Sequence, residues 1–65
     1  MVNNLAAYRK KAKLNQKEFA DKLKVSTVTL SKWENPEFDL NELSVKTIIH
    51  ICELLHISIK DLINI

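Results

Sequence analysis

The residues best suited to chemistry in this 65-residue chain are basic side chains concentrated in its N-terminal half. Up to Trp33 there are eight basic and two acidic residues, a net charge of +6, whereas from Glu34 onward two basic and six acidic residues give −4. Such asymmetry indicates that the N-terminal half contacts a polyanion while the other half has a different role. A solvated basic face without a partner is the alternative that charge alone leaves open.

Catalytic and metal-binding chemistry has no supporting pattern in the sequence. The chain has no glycine, which excludes a glycine-rich phosphate loop, and no nucleophile is accompanied by a recognisable base and orienting group. His50 and His56 lack a second cysteine or a helical i, i+4 partner, so they form no recognisable metal site. Cys52 falls on an apolar stripe and is expected in the core. We therefore expect neither an enzyme nor a bound cofactor.

Length and composition predict a single domain over residues 1–65. A chain this short buries only about 60% of the surface that it exposes when unfolded, so its core must be small. One cysteine cannot form an internal disulfide, and it suits a reducing compartment. No apolar run approaches the roughly 18 residues of a membrane span, and the N-terminus lacks the basic start of a signal peptide. We expect a soluble, cytoplasmic protein.

Capping residues and apolar spacing place three helices in the basic half. The first covers roughly residues 3–12, with one stripe made of Leu5, Tyr8, Arg9 and Ala12. The second opens at a capping box, Asn15 to Glu18, and its inward side chains are Phe19, Ala20 and Leu23. After a tight turn, Ser26 caps a third helix that runs to about Glu34, with its buried side formed by Leu30 and Trp33.

The acidic half is predicted to contain a loop and two further helices. Residues 36–43 form the loop, because Asn-Pro disfavours continued helix and the acidic residues add no apolar period. Ser44 caps a fourth helix whose buried stripe is Ile48, Ile51, Cys52 and Leu55, widened by Ile49 and Leu54. Ser58 and Asp61 resemble a weaker capping box for a last helix over about residues 59–63. The chain is thus predicted to be all-α with five helices.

The second and third helices have the arrangement that places a helix in the DNA major groove: two short helices joined by a tight turn. On the third helix, Val28 and Lys32 lie about 160° from Leu30 and therefore face outward. Val28 can pack on a thymine methyl group, Thr27 can exchange hydrogen bonds with a base, and Lys32 can reach guanine acceptors or a phosphate. Ser26 can hold a phosphate at the helix N-terminus. The predicted exposure of Val28 does not by itself indicate a DNA contact, since single exposed apolar residues are commonplace.

Two segments resemble a known family. Residues 14–23, LNQKEFADKL, precede residues 25–35, VSTVTLSKWEN, and the stretch from Ser44 to Ser58 continues the pattern. Together they resemble the lambda-repressor-like helix-turn-helix family, the Cro, phage-repressor and xenobiotic-response-element type. The resemblance covers nearly the whole chain. It implies a compact five-helix DNA-binding domain with the helix-turn-helix at helices 2 and 3.

The resemblance also implies roles for individual residues. It makes Gln16 a DNA contact at the start of helix 2, and it pairs Arg9 with Glu34 as a structural ion pair. The basic residues Lys10, Lys11 and Lys13 are expected phosphate contacts because of their charge, and a solvated face is the open alternative. The full set of expected DNA-binding residues is Gln16, Ser26, Thr27, Val28, Thr29, Ser31, Lys32, Asn35, Lys10 and Lys11.

Three features depart from the family pattern. Lys24 stands at the turn position where the family usually has glycine, and a left-handed backbone there would cost roughly 1 kcal/mol, so we expect a tolerated strain or an altered turn. Pro36 replaces the glycine that usually follows Asn35, and the loop to Ser44 is longer than usual. This loop is also acidic, and a phosphate backbone would be repelled by Glu37, Asp39 and Glu42.

The C-terminal end is the expected dimer surface. It holds more apolar residues than a terminal turn easily buries, so we expect some of them to pack against a second copy of the chain. The alternative is that all of them close the monomer core. These residues are Ile57, Ile59, Leu62, Ile63 and Ile65. We expect a transcriptional regulator, a repressor, that binds an inverted repeat in double-stranded DNA as a homodimer. The alternative is a protein-interaction module on the same fold, such as an antitoxin or a phage regulatory factor. It would bind a protein partner through the acidic, apolar C-terminal half.

Overall fold

The helices follow one another along the chain with short connections. The computed structural model describes residues 3–63, and its helices are α1 Leu5–Lys11, α2 Gln16–Leu23, α3 Thr27–Glu34, α4 Val45–Leu55 and α5 Ile59–Leu62, with a short 3₁₀ helix Leu40–Glu42 between α3 and α4. No strand occurs within this range. The prediction of an all-α chain with five α-helices is confirmed.

Side-chain caps fix the starts of α2 to α5. Asn15 Oδ1 accepts a hydrogen bond from the Glu18 N–H at 2.7 Å, and Glu18 Oε1 accepts one from the Asn15 N–H at 3.0 Å. The other N-caps are serines whose hydroxyl oxygen accepts from a backbone N–H of the first turn: Ser26, Ser44 and Ser58. Each cap satisfies an N–H group that the helix itself leaves unpaired. The predicted helix starts are therefore confirmed at these four places.

Left-handed residues end two of the helices although none is glycine. Positive φ angles of 61°, 59° and 56° occur at Lys13, Lys24 and His56 respectively. At Lys24, which ends α2, the Val25 N–H donates to the Ala20 carbonyl at 3.0 Å and closes the helix end. His56 ends α4 with the same backbone conformation. The turn between α2 and α3 is thus retained with lysine, at a conformational cost of about 1 kcal/mol.

Helix α1 is shorter than predicted. It begins at Leu5 rather than at Asn3 and ends before Ala12, whose side chain is exposed and does not belong to the buried stripe. Leu5 and Arg9 are buried on that stripe and Tyr8 is half-buried. The stripe therefore has three members, and the buried charge of Arg9 is paired with Glu34.

The core is formed by one inward stripe from each helix. Its largest fully buried side chains are Leu5, Phe19, Leu30, Leu40, Ile51 and Leu62. The predicted stripe of α4 is confirmed, since Ile48, Ile51, Cys52 and Leu55 are all buried. Leu54 packs half-buried against it. The expectation that Ile49 widens the stripe is wrong: its side chain is 43% exposed, because it lies about 100° around the helix from Ile48.

The segment between α3 and α4 is more ordered than the predicted loop. It contains the 3₁₀ helix, and Leu40 within that helix is only 1% exposed. Asp39 caps this helix, with its Oδ1 accepting from the Asn41 N–H at 2.9 Å. A single 3₁₀ turn buries one residue and leaves no periodic pattern, which is why the sequence indicated only a loop. Glu37 and Glu42 remain exposed on its outer side.

The C-terminal apolar residues contribute mainly to the monomer core. Leu62 is 1% exposed, so its assignment to a dimer surface is wrong: the side chain is already covered within one chain. Ile57 and Ile63 are half-buried against the core, and Ile59 is 38% exposed. Ile65 lies outside the described residues. The described part of the C-terminal end therefore offers one exposed large apolar side chain.

Candidate nucleic-acid interface

Helix α3 presents one side to solvent because the other side is anchored in the core. Leu30 is fully buried, and Ser26 fixes the helix N-terminus with its hydroxyl accepting from the Thr29 N–H at 3.1 Å. With the helix held this way, Val28 points to solvent and is 79% exposed. Lys32, one turn further on, is exposed on the same side.

An open groove runs along this face of α3 and reaches the start of α2. It is lined by Gln16, Thr27, Val28, Ser31, Lys32 and Asn35. These residues come from the first turn of α2, from the exposed side of α3 and from its C-cap. All six belong to the set expected to bind DNA. The turn at Lys24 brings them together, because it sets α2 against α3.

The remaining predicted contacts lie outside this groove. Ser26 and Thr29 bond to each other, with the Ser26 hydroxyl donating to Thr29 Oγ1 at 3.0 Å, so both hydroxyls serve the N-cap of α3. Lys10 and Lys11 are exposed in the last turn of α1, and Lys11 Nζ lies 5.8 Å from the centre of the Tyr8 ring. Tyr8 thus offers a weak cation–π contact to one of the two lysines.

Arg9 and Glu34 form an ion pair beneath the groove. The Arg9 Nε donates to Glu34 Oε2 at 2.6 Å and its Nη2 donates to Glu34 Oε1 at 3.3 Å. A third donor, Nη1, reaches the Leu14 carbonyl at 2.8 Å. The two side chains are only 9% and 6% exposed. This fork-like contact ties the end of α1 to the end of α3 and to the segment that leads into α2.

Glu34 also holds the side chain of Gln16. The Gln16 Nε2 donates to Glu34 Oε1 at 3.0 Å, so one carboxylate accepts from both Arg9 and Gln16. This bond fixes the amide at the edge of the groove and leaves its carbonyl oxygen and second N–H for other partners. The sequence indicated Gln16 and the ion pair separately but not their connection. Gln16 and Glu34 are 18 positions apart, and no spacing rule links them.

Asn3, near the N-terminus of the chain, caps the C-terminal end of α3 with its side-chain amide. Its Nδ2 lies 2.7 Å from the Trp33 carbonyl oxygen, 3.0 Å from that of Asn35 and 3.2 Å from that of Phe38. An amide has two hydrogens, so one is shared between two of these acceptors. Carbonyls that a helix end leaves unpaired are thereby satisfied. The sequence pattern predicts Asn3 only as the start of α1.

The structure gives no support for catalytic or metal-binding chemistry among the described residues. Cys52 is buried, and burial, with the nearby Asp61 carboxylate adding to it, raises the pKa of its thiol, which therefore stays protonated near neutral pH. Within residues 3–63, no group of three or more His, Cys, Asp or Glu side chains is placed to hold a metal ion. None of the helices described is long and apolar enough to cross a membrane.

The chain matches the model of a known protein family. A profile of the helix-turn-helix family matches residues 5–62, a range that includes all five helices and the groove on α3. No curated protein sequence matches the chain.

Proposed function

The chain belongs to the lambda-repressor-like helix-turn-helix family of DNA-binding transcription regulators, and from this premise we propose that it is a repressor that binds an inverted-repeat operator as a homodimer. The observation that carries the proposal is the groove on α3. Six residues expected to contact DNA, from two helices and a cap, line one open surface around the most exposed large apolar side chain described, Val28.

Sequence recognition is assigned to α3 in the major groove. Val28 packs on a thymine methyl group, since it is the apolar group on this face, and Thr27 offers a hydroxyl beside it. Lys32, one turn later, donates to guanine O6 and N7 or to a phosphate. Ser31 and Asn35 complete the polar lining. A helix enters the major groove in this manner because the groove is wide enough to admit it.

Affinity that does not depend on sequence comes from the basic half. Gln16, held in place by Glu34, and the N-terminal end of α3 contact phosphates at the groove edges. Lys10 and Lys11 add attraction to the backbone. Five of the eight acidic residues lie after α3, so most of the negative charge is on the other half of the chain. Binding is therefore expected to weaken steeply as salt concentration rises.

Dimerisation follows from the size of one recognition surface. One such domain covers about one half-site, whereas specific binding usually needs two, with half-sites about 34–36 Å apart. A dimer on adjacent major grooves covers enough DNA to block access by other proteins, and this occupancy is the basis of repression. No enzymatic step and no cofactor is part of the proposal.

A second candidate is a protein-interaction module on the same fold, as in an antitoxin or a phage regulatory factor. The observation that favours it is the exposed apolar pair Val45 and Ile49 on α4, in the acidic half of the chain and outside the groove on α3. Heparin chromatography separates the candidates. Retention with salt-dependent elution supports DNA binding, whereas no retention supports the protein partner.

The main test is selection of bound duplexes from a randomised library at about 0.15 M salt, near physiological ionic strength. Enrichment of an inverted repeat, with half-site centres about one helical turn apart, supports the proposal. If a folded protein enriches no sequence, the proposal is wrong and the protein-partner candidate replaces it.

Two valine variants make the test residue-specific. Val28→Ala should change the selected bases at one position of each half-site, because the shorter alanine side chain loses apolar contact with a thymine methyl group. Val45→Ala is the matched control for base preference, since Val45 is 70% exposed but lies on α4, outside the groove on α3. An identical preference for Val28→Ala and the unmodified protein would remove Val28 from base recognition.

A further inference from the structure

The exposed apolar residues outside the α3 groove lie mainly on one helix. Four large apolar side chains are exposed in the described range: Val28, Val45, Ile49 and Ile59. Val45 and Ile49 are four positions apart on α4, so their side chains lie one above the other on its outer side. They are 70% and 43% exposed, and they are two of the three large apolar side chains that are exposed outside α3 in the described range.

A shallow groove accompanies these residues on α4. Its lining is Lys46, Thr47, Ile49, His50 and Glu53. None of these residues lines the groove on α3. A partner on α4 and a DNA duplex on α3 therefore use different side chains and can be bound at the same time.

The charges on this face are arranged for pairing with a second copy of the chain. Lys46 lies three positions before Ile49 and Glu53 four positions after it. If two α4 helices pack antiparallel about a twofold axis beside Ile49, each Lys46 faces Glu53 of the partner subunit, and the two Ile49 side chains meet at the centre. Parallel packing would instead oppose like charges. A twofold interface requires this kind of self-complementarity, because the same patch serves both subunits.

We propose that the outer face of α4, defined by Val45, Lys46, Ile49 and Glu53, is the surface through which two copies of this chain associate antiparallel on the operator. The proposal rests on the proposed function, and it moves the dimer contact away from the C-terminal end. There, Leu62 is buried within the monomer and Ile59 is the one exposed large apolar residue described.

The size of the face determines when the dimer forms. A stable dimer buries about 800 Å² on each partner. Helix α4 has 11 residues, about 16 Å in length, and exposes two large apolar side chains, so its outer face is smaller than that. Two chains on adjacent half-sites are held at high effective concentration, where a weak contact suffices. The protein is thus a monomer when free and pairs on DNA, which makes operator binding cooperative.

The test compares one duplex carrying the selected inverted repeat with a second duplex carrying one half-site. Lys46→Glu should weaken binding to the repeat about tenfold relative to the single half-site, because two attractive contacts become repulsive. Glu53→Lys should have the same effect. The double variant K46E/E53K exchanges the charges and should restore cooperative binding. Circular dichroism establishes that each variant is folded.

Two isoleucine variants distinguish the α4 face from the C-terminal end. Ile49→Lys should abolish cooperativity while leaving the single half-site affinity unchanged. Ile59→Lys is the matched control, because the exposed fractions of the two side chains are 43% and 38%. This control should remain cooperative.

The outcomes separate the two proposals. Unchanged cooperativity in Lys46→Glu, Glu53→Lys and Ile49→Lys, with DNA binding retained, overturns the α4 contact and leaves the proposed function standing. Loss of cooperativity in Ile59→Lys alone also overturns it and assigns the contact to the C-terminal end. If the unmodified protein binds neither duplex, the proposed function fails and the operator-bound dimer fails with it.

Discussion

Replacement of Glu34 by glutamine removes the charge that Arg9 faces without changing the size of the side chain. In the folded chain the carboxylate of Glu34 accepts from Arg9 Nε at 2.6 Å, from Arg9 Nη2 at 3.3 Å and from Gln16 Nε2 at 3.0 Å. The two charged side chains are 9% and 6% exposed, so water compensates little for the loss of either charge. Glu34→Gln therefore leaves a guanidinium buried and unpaired.

The expected cost of Glu34→Gln is large relative to the stability of the domain. Breaking a buried ion pair by removing one partner typically costs about 3–5 kcal/mol. The amide oxygen of glutamine can still accept one hydrogen bond, so we expect the lower end, about 3 kcal/mol. A domain of 65 residues has a free energy of unfolding of about 3–10 kcal/mol. If the unmodified protein lies at the low end of this range, the variant is largely unfolded at 25 °C, whereas at the high end it keeps about 7 kcal/mol.

Urea denaturation followed by circular dichroism measures this loss. With a slope of about 1 kcal/mol per molar urea, a loss of 3 kcal/mol lowers the midpoint by about 3 M. Glu37→Gln is the matched control, because Glu37 is an exposed carboxylate shortly after α3, and its replacement should change stability by less than about 0.5 kcal/mol.

A double variant separates the ion pair's contribution to stability from its effect on DNA binding. Arg9→Met with Glu34→Leu replaces both charges by apolar groups, a change that is often neutral or stabilising at buried pairs. This variant should remain folded, yet Gln16 loses its acceptor and DNA binding should weaken. A loss below about 1 kcal/mol for Glu34→Gln, at an unchanged urea slope, would refute the buried-pair reasoning.

Three further predictions concern the backbone turn, the N-terminal clamp and the basic half. Lys24→Gly should stabilise the protein by about 1 kcal/mol in urea denaturation, since φ is 59° there, while Lys22→Gly, inside α2, should destabilise it by a similar amount. Asn3→Ala and Asn3→Asp should both cost about 1–3 kcal/mol by the same measurement, because either change removes the N–H donors to three carbonyl groups; full stability of the aspartate variant would contradict this. Lys10→Ala should reduce the slope of log affinity against log salt concentration by about 0.9, and Lys60→Ala, in the acidic half, should leave that slope unchanged.

The predictable part of the fold consists of features with local causes. Residue types a few positions apart predict the capping box at Asn15 and Glu18. They also predict the serine caps of α3, α4 and α5. The buried stripe of α4 followed from helical periodicity. The face of α3 opposite Leu30 followed in the same way, and Val28 lies there as expected.

Features that depend on contacts between distant segments were not predictable. Leu40 is buried in a short 3₁₀ helix that leaves no periodic pattern, and Leu62 fits into the core although the chain end is rich in isoleucine. Ile49 has the same side-chain type as Ile48 and Ile51 but is exposed. Hydrophobicity indicates that a side chain is suited to burial, while packing decides whether a neighbouring element covers it.

The sequence by itself determined the family, the five helices and the residues that face outward on α3, because caps, helical period and motif spacing are properties of short segments. Only the tertiary structure decided how the segments meet. Asn3 reaches carbonyls 30 to 35 positions away, and Glu34 accepts from side chains 18 and 25 positions away. Such contacts arise when packed helices bring remote polar groups within hydrogen-bond distance, and local sequence rules carry no information about them.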